Sequence, residues 1–111
     1  MNKKVIFFDI DGTLYDHDKN IPESTKRAVH LLKEKGHHLF IASGRSPFLI
    51  RPILEELGLD SFIAYNGQYV MYEGDVIYGN PLKQELMERI YETADRHDHP
   101  LVFMGEETMK A

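Results

Sequence analysis

Three short apolar runs stand out in the first 67 residues, at residues 5–8, 39–42 and 62–65. Each run is continuously apolar and rich in β-favouring side chains, which is typical of a strand buried on both faces. Each is followed closely by polar residues and a glycine. The segments between the runs carry apolar residues at helical spacing. This alternation, with short loops, predicts an α/β domain whose parallel strands are joined by right-handed crossovers.

Both helices predicted between these strands carry recognisable signals. The first covers residues 21–32, where apolar positions recur at i, i+4, i+7, i+8 and i+11. The second is predicted to have Ser46 as its N-cap and Pro47 as its first helical residue, and to end at Gly58. Because Pro52 removes one helical hydrogen bond, we expect a kink or a late start in this helix.

The pattern changes after residue 68. Residues 69–72 and 76–78 are two β-favouring runs on either side of a turn that contains Gly74, which predicts a β-hairpin. Residues 82–97 then carry apolar positions at helical spacing, and residues 101–104 open one more strand.

A chain of 111 residues is long enough for one modest domain, or for one domain and the start of another. The α/β alternation ends near Asn80 and Pro81, and we place a domain boundary there. Residues 1–80 then form the N-terminal part of one domain, and residues 81–111 form the beginning of the next.

The composition excludes several classes of function. The chain has 18 acidic and 13 basic residues and no block of basic residues, so nucleic acid is not an expected partner. It has no cysteine, which excludes disulfides and thiolate zinc sites. We identify neither a signal peptide nor an apolar run long enough for a membrane span. No membrane partner is expected, and a cytoplasmic location follows by default.

Polar residues cluster where each of the three predicted strands ends. The clusters are residues 9–13, residues 43–45, and Asn66 with Gly67. In an open parallel sheet, ligands bind outside the carboxyl ends of the strands. We therefore expect the three clusters to share one crevice.

Asp9 and Asp11 are the strongest candidates for catalysis. Where a chain stays extended, residues i and i+2 point to one side, so these carboxylates would repel each other unless a divalent cation kept both ionised. Asp9 can then attack phosphorus, while Asp11 protonates the leaving oxygen and later activates water. Oxygen ligands without histidine or sulfur favour Mg²⁺ over Zn²⁺. Gly12 would allow a sharp turn, and Thr13 adds a hydroxyl. The alternative is that the aspartates simply end a strand and begin a turn.

The residues after the second strand are suited to binding phosphate. The Ser43 hydroxyl and the unhindered amide of Gly44 lie at a loop-to-helix junction, where the helix N-terminus favours anions. By itself this pair is more often a plain turn, and the aspartates of the first cluster favour the phosphate interpretation. Arg45 either adds charge against a phosphate or faces solvent. Asn66 is most simply a turn residue, and the alternative is that it lines the pocket.

The motifs Asp-Ile-Asp-Gly-Thr at residues 9–13 and Ile-Ala-Ser-Gly-Arg at residues 41–45 closely resemble those of the haloacid dehalogenase (HAD) superfamily. The chain looks most like the N-terminal portion of the Cof-type (HAD-IIB) phosphatases, whose cap domain is inserted after the third strand. This resemblance implies a partial doubly wound, Rossmann-like parallel sheet of the HAD core, then a β-hairpin and the start of an α+β cap. It also implies a Mg²⁺-dependent phosphatase of a small phosphorylated metabolite.

The same resemblance assigns roles to single residues. Asp9 would be the nucleophile and a Mg²⁺ ligand, and Asp11 would be the acid/base that binds Mg²⁺ through its backbone carbonyl. The Ile10 amide, with Ser43 and Gly44, would hold the phosphoryl group. The Thr13 hydroxyl matches the family pattern. With Arg45 left open, the candidate phosphate-binding residues are Ile10, Thr13, Ser43, Gly44 and Arg45.

The chain also departs from the family pattern. The family uses a downstream lysine and a Gly-Asp…Asn-Asp segment, and nothing in residues 82–111 resembles either. Further strands would pack beside the first strand, which is otherwise left as an exposed edge. We therefore expect a fragment that is inactive by itself and able to self-associate through that strand. A phosphomutase of the same superfamily and a receiver-like module phosphorylated on an aspartate are the alternatives.

Overall fold

The computed structural model describes residues 2–107 and 109–110. The strands are β1 (Val5–Phe8), β2 (His38–Ala42), β3 (Phe62–Ala64), β4 (Tyr69–Tyr72), β5 (Asp75–Gly79), β6 (Phe103–Met104) and β7 (Met109–Lys110). The helices are α1 (Glu23–Glu34), α2 (Pro47–Leu57) and α3 (Gln84–Arg96), and a 3-10 turn, Tyr65–Gly67, follows β3. This order confirms the predicted α/β alternation and the hairpin.

Five of the strands form one sheet in the order β1-β2-β3-β4-β5. Strands β1, β2 and β3 are parallel, whereas β4 is antiparallel to β3 and β5 is antiparallel to β4. The hairpin therefore extends the sheet that the parallel strands begin, and the complete sheet is mixed. As expected, β1 lies at one edge of the sheet. Because β1, β2 and β3 are parallel, the loops that leave them emerge at one end of the sheet.

The boundaries of α2 follow its predicted signals. Ser46 is the N-cap, Pro47 is the first helical residue, and Gly58 is the C-cap with a φ of 68°. The helix runs on through Pro52, so the expectation of a late start is wrong. Residues after the proline, such as the buried Ile53, pack in the core, and this packing holds the helix together despite one missing hydrogen bond.

Several other boundaries differ from prediction by one or two residues. Strand β3 ends before Tyr65, because Tyr65 and Asn66 adopt left-handed conformations with φ of 50° and 54°. The sequence does not show this, since tyrosine favours strands and side chains other than glycine rarely adopt positive φ. Helix α3 begins at Gln84 and strand β6 at Phe103, each two residues later than predicted.

The main apolar cluster packs helices α1 and α2 onto the sheet. Ile41 of β2 and Ile50 of α2 are completely buried in it. Ile10 and Leu14, which follow β1, belong to the same cluster and are each 1% exposed. The loop that carries the candidate aspartates is therefore anchored in the core by its own apolar side chains.

Residues after the hairpin form a smaller group of elements. Strands β6 and β7 pair in a separate antiparallel sheet. Helix α3 buries Ala94, whereas Leu86 and Ile90 are 43% and 39% exposed. None of the described helices, α3 included, combines the length and the apolar character needed to cross a membrane. The Tyr65 hydroxyl donates a hydrogen bond to the Gly105 carbonyl, which joins this group to the end of β3. The domain boundary near residue 80 stays a prediction.

Candidate active site

The loop after β1 is a tight turn held by one carbonyl. The Ile10 carbonyl oxygen accepts hydrogen bonds from the amides of Leu14 at 3.0 Å and Tyr15 at 2.9 Å. Gly12 lies inside this turn with a φ of 79°, a conformation that glycine adopts without strain. The predicted sharp turn at Gly12 is confirmed. Since Ile10 and Leu14 are buried, the turn has a defined orientation relative to the sheet.

Asp9 and Asp11 both face solvent on either side of the buried Ile10. Strand β1 ends at Phe8, so regular strand geometry does not reach the two aspartates. Exposed and buried residues nevertheless alternate from Asp9 to Asp11, because the Ile10 side chain inserts into the core. Both carboxylates are therefore open to a ligand above the carboxyl end of the sheet.

The loops after β2 and β3 are joined by backbone hydrogen bonds. The Ser43 amide donates to the Ile63 carbonyl at 2.9 Å, and the Asn66 amide donates to the Ser43 carbonyl at 3.1 Å. The Tyr65 amide donates to the Arg45 carbonyl at 3.1 Å. These bonds give the Ser43–Arg45 segment a fixed position at the start of α2, where backbone amides and the helix dipole attract anions.

At Gly44 a side chain is disfavoured by the space available rather than by the backbone angles. A Cβ atom at this position would lie 2.9 Å from the Asn66 side-chain Oδ1 and 3.3 Å from its Nδ2. Its φ is not in the left-handed range, unlike that of Gly12. The Asn66 side chain therefore packs directly over the candidate phosphate-binding segment.

Arg45 connects the first loop to the second. Its guanidinium Nη2 lies 3.2 Å and 3.3 Å from the two carboxylate oxygens of Asp11. The guanidinium carbon also lies 5.8 Å from the centre of the Tyr15 ring. The Ser43 hydroxyl oxygen accepts a hydrogen bond from the Arg45 amide at 3.0 Å. The ends of β1, β2 and β3 are thus brought together through Asp11, Arg45 and Tyr65.

Tyr15 and Tyr65 are two members of the site region that the sequence pattern does not single out. Burial raises the pKa of the Tyr65 hydroxyl; the nearby Ser46 hydroxyl offsets this in part, and the Glu106 carboxylate adds to it. Tyr65 therefore stays protonated, as its hydrogen bond to Gly105 requires. In the sequence, the only signal for these two tyrosines was their closeness to the two motifs. Their contacts form only when the loops are folded.

The donor atoms of the site suit a hard divalent cation. Among the described residues, no group of three or more histidine, cysteine or acidic side chains is placed to hold a metal. Mg²⁺ needs no such group, because it usually keeps several waters and binds one or two carboxylates together with substrate phosphate. The exposed Asp9 carboxylate and a backbone oxygen of Asp11 fit that pattern.

Comparison with known proteins identifies the class to which this fold and site belong. The chain matches the haloacid dehalogenase-like hydrolase family over residues 6–111 and belongs to that family. This confirms the family that the motifs at residues 9–13 and 41–45 indicated.

Individual relatives support this assignment. "Putative phosphatase YkrA" from Bacillus subtilis (strain 168) is 64% identical over 111 residues, which are 100% of this chain and 43% of that protein. The crystal structure of a hypothetical protein from Geobacillus kaustophilus HTA426 is 48% identical with a TM-score of 0.93, covering 98% of this chain and 43% of that one. The structure of the HAD subclass IIB sugar phosphatase BT4131 is 31% identical with a TM-score of 0.74, and the match covers 97% of this chain and 43% of that one. This chain therefore spans less than half the length of these relatives.

Proposed function

We propose that the whole protein is a Mg²⁺-dependent phosphatase that acts on a small phosphorylated metabolite through a phosphoryl-enzyme intermediate on Asp9. One observation carries this proposal: two exposed aspartates flank a buried residue, and the second of them, Asp11, contacts Arg45 at the N-terminus of α2. The proposed acid therefore lies beside the proposed anion-binding segment, and the proposed nucleophile is two residues away from that acid in the chain. Membership of a hydrolase family and the names of two relatives, a phosphatase and a sugar phosphatase, support the same chemistry.

Asp9 and Asp11 are the residues that would hold the metal. Asp9 would contribute a carboxylate oxygen and Asp11 its backbone carbonyl. When bound, Mg²⁺ would neutralise charge on the phosphoryl oxygens and reduce their repulsion of the attacking carboxylate.

Asp9 and Asp11 divide the chemistry between them. A carboxylate oxygen of Asp9 forms a bond to phosphorus while the bond from phosphorus to the leaving oxygen breaks, and Asp11 gives its proton to that oxygen. In the second step Asp11 takes a proton from water, the water oxygen bonds to phosphorus, and the bond to Asp9 breaks. Inorganic phosphate leaves, and both aspartates return to their starting states.

Backbone and hydroxyl donors would position the phosphoryl group. The Ile10 amide lies between the two aspartates, and Thr13 follows in the same turn. Ser43 has its oxygen engaged by the Arg45 amide, which leaves the hydroxyl hydrogen to donate to a phosphoryl oxygen. Gly44 has no side chain to block approach to its amide. Preorganised donors of this kind stabilise the charge that develops in the transition state.

The nucleophile assignment is tested with Asp9→Asn in the whole protein. We expect phosphate release from sugar phosphates in the presence of Mg²⁺ to fall by at least about a thousandfold, because an amide cannot form the acyl phosphate. The control is Asp18→Asn, which changes an exposed aspartate in the loop before α1. Undiminished release by Asp9→Asn would overturn the proposal. The same assay on the 111-residue chain tests the expectation that it is inactive by itself.

A further inference from the structure

The guanidinium of Arg45 is held between an acid and an aromatic ring. One nitrogen, Nη2, lies 3.2 Å and 3.3 Å from the two carboxylate oxygens of Asp11. The Tyr15 ring covers the guanidinium carbon at 5.8 Å. The Arg45 side chain is 30% exposed, whereas that of Asp11 is 69% exposed. The less exposed arginine is therefore the better-anchored partner.

The backbone of Arg45 is fixed on both sides of its Cα atom. Its amide donates to the Ser43 hydroxyl oxygen at 3.0 Å, and its carbonyl accepts from the Tyr65 amide at 3.1 Å. The next residue, Ser46, is completely buried. Asp11 has no comparable burial, so its side chain would otherwise sample several rotamers in solvent. A contact from a fixed arginine restricts those rotamers.

We infer that Arg45 is a positioning residue that orients the Asp11 carboxyl for proton transfer to the leaving oxygen. This inference rests on the proposed function, in which Asp11 is the general acid. It replaces the two roles that the sequence leaves open for Arg45, contact with phosphate or simple exposure to solvent. Tyr15 supports the same arrangement by covering the guanidinium.

The two possible roles of Arg45 differ in how they depend on the leaving group. An alkoxide leaving group is strongly basic and needs a proton from a well-placed acid, whereas p-nitrophenolate is weakly basic and leaves with little help. Loss of a contact to the phosphoryl group would slow both substrates alike, since both carry the same phosphoryl group. Loss of Asp11 positioning would slow formation of the phosphoryl-enzyme from the alkyl substrate selectively. Because hydrolysis of that intermediate is common to both substrates, the difference should appear in kcat/KM, which covers only the steps up to phosphoryl transfer.

The test compares glucose 6-phosphate, an alkyl phosphate, with p-nitrophenyl phosphate in the whole protein. In Arg45→Met we expect kcat/KM for the alkyl phosphate to fall by about tenfold or more and kcat/KM for the aryl phosphate by less than about threefold. Arg45→Lys should recover part of the loss, because it keeps a cationic donor. Arg27→Met, on the exposed face of α1, is the matched control. Equal losses on both substrates would overturn the inference.

A double-mutant cycle tests whether Arg45 acts through Asp11. In an Asp11→Asn background, Arg45→Met should change the alkyl rate by less than about twofold, because the acid it positions is already absent. Full additivity of the two changes would contradict the inference. A crystal structure of Arg45→Met gives a readout other than activity: the Asp11 side chain should occupy another rotamer or several. An unchanged Asp11 rotamer would also count against positioning.

Failure of this inference is distinguishable from failure of the proposed function. If Asp9→Asn retains full activity, the phosphatase mechanism itself is wrong. If Asp9→Asn is inactive and Arg45→Met affects both substrates equally, the mechanism stands and Arg45 acts on the phosphoryl group instead.

Discussion

At the scale of single residues, the loop after β3 packs against the loop after β2 at the candidate site. The Asn66 side chain packs over Gly44, and the Asn66 amide donates to the Ser43 carbonyl. Asn66 itself has a φ of 54°, a left-handed conformation that asparagine tolerates better than most residues. The left-handed backbone therefore places the Asn66 side chain, and that side chain limits the space beside Gly44.

Gly44→Ala should disturb this contact without unfolding the protein. The new Cβ would lie 2.9 Å from Asn66 Oδ1, so the side chain of Asn66 must move. Because that side chain is exposed and flexible, we expect the free energy of unfolding to fall by only about 1 kcal/mol or less. We expect kcat/KM for phosphate release to fall by about tenfold, since the new methyl group and the shifted Asn66 side chain crowd the amide of residue 44.

Asn66→Gly is a second-site substitution that should relieve the steric conflict created by Gly44→Ala. It removes the conflicting side chain and keeps the left-handed backbone available. The double variant Gly44→Ala with Asn66→Gly should therefore be more active than Gly44→Ala alone. Chemical denaturation and steady-state kinetics measure the two effects separately. No recovery in the double variant would show that the contact with Asn66 is not the cause.

At the scale of elements, the hairpin turn shows a local conflict between residue and conformation. Glu73 and Gly74 connect β4 to β5 with φ of 48° and 86°. Two successive positive φ values define the type I′ turn, which suits hairpins and favours asparagine then glycine. Glycine meets this preference, but glutamate does not. The Glu73 amide donates to the Ser61 hydroxyl oxygen at 2.9 Å, which ties the turn to the start of β3.

Glu73→Asn should stabilise the protein. Asparagine adopts the left-handed region at lower cost than glutamate, and it keeps the amide that bonds to Ser61. We expect the free energy of unfolding to rise by about 0.5–1 kcal/mol, measured by chemical denaturation. Gly74→Ala is the opposing control: it places a side chain at a φ of 86° and should be destabilising. A fall in stability for Glu73→Asn would contradict the assignment of the turn.

The two edges of the main sheet differ at the scale of the whole molecule. Strand β1 forms one edge and pairs in an unbroken parallel register with β2. Strand β5 forms the other edge, and its pairing with β4 shifts register between Val70 and Met71. Irregularities of this kind twist an edge and discourage pairing with another chain. We therefore expect any self-association of the 111-residue chain to use the regular β1 edge rather than β5.

Lysine in β1 should weaken association of the 111-residue chain. Val5 is 55% exposed, so Val5→Lys adds charge to the edge without filling the core. We expect the average mass in sedimentation velocity at high protein concentration to shift toward the monomer by comparison with the parent chain. Ile77→Lys, on β5 with 61% exposure, is the matched control and should leave association unchanged. The reverse result would place the contact on β5.

The sequence by itself determined the order of most elements and the identity of the candidate chemical groups. Apolar runs predicted β1 to β3, and Ser46, Pro47 and Gly58 predicted the ends of α2, because strand burial and helix capping depend on neighbours in sequence. The turn at Gly12 and the family motifs could be predicted for the same reason, because each depends on residues that are close in sequence. Only the tertiary structure decided that the hairpin joins the parallel strands in one sheet.

Tertiary structure also decided what Arg45 touches. Arg45 and Asp11 are 34 positions apart, and their contact exists only because parallel pairing of β1 with β2 brings the two loops together. The residues on either side of Arg45 in the sequence do not indicate that Asp11 is its partner. Asp9 and Asp11 could thus be proposed as nucleophile and acid from residues 9–13, whereas the contact from which we infer that Arg45 orients Asp11 exists only in the folded sheet.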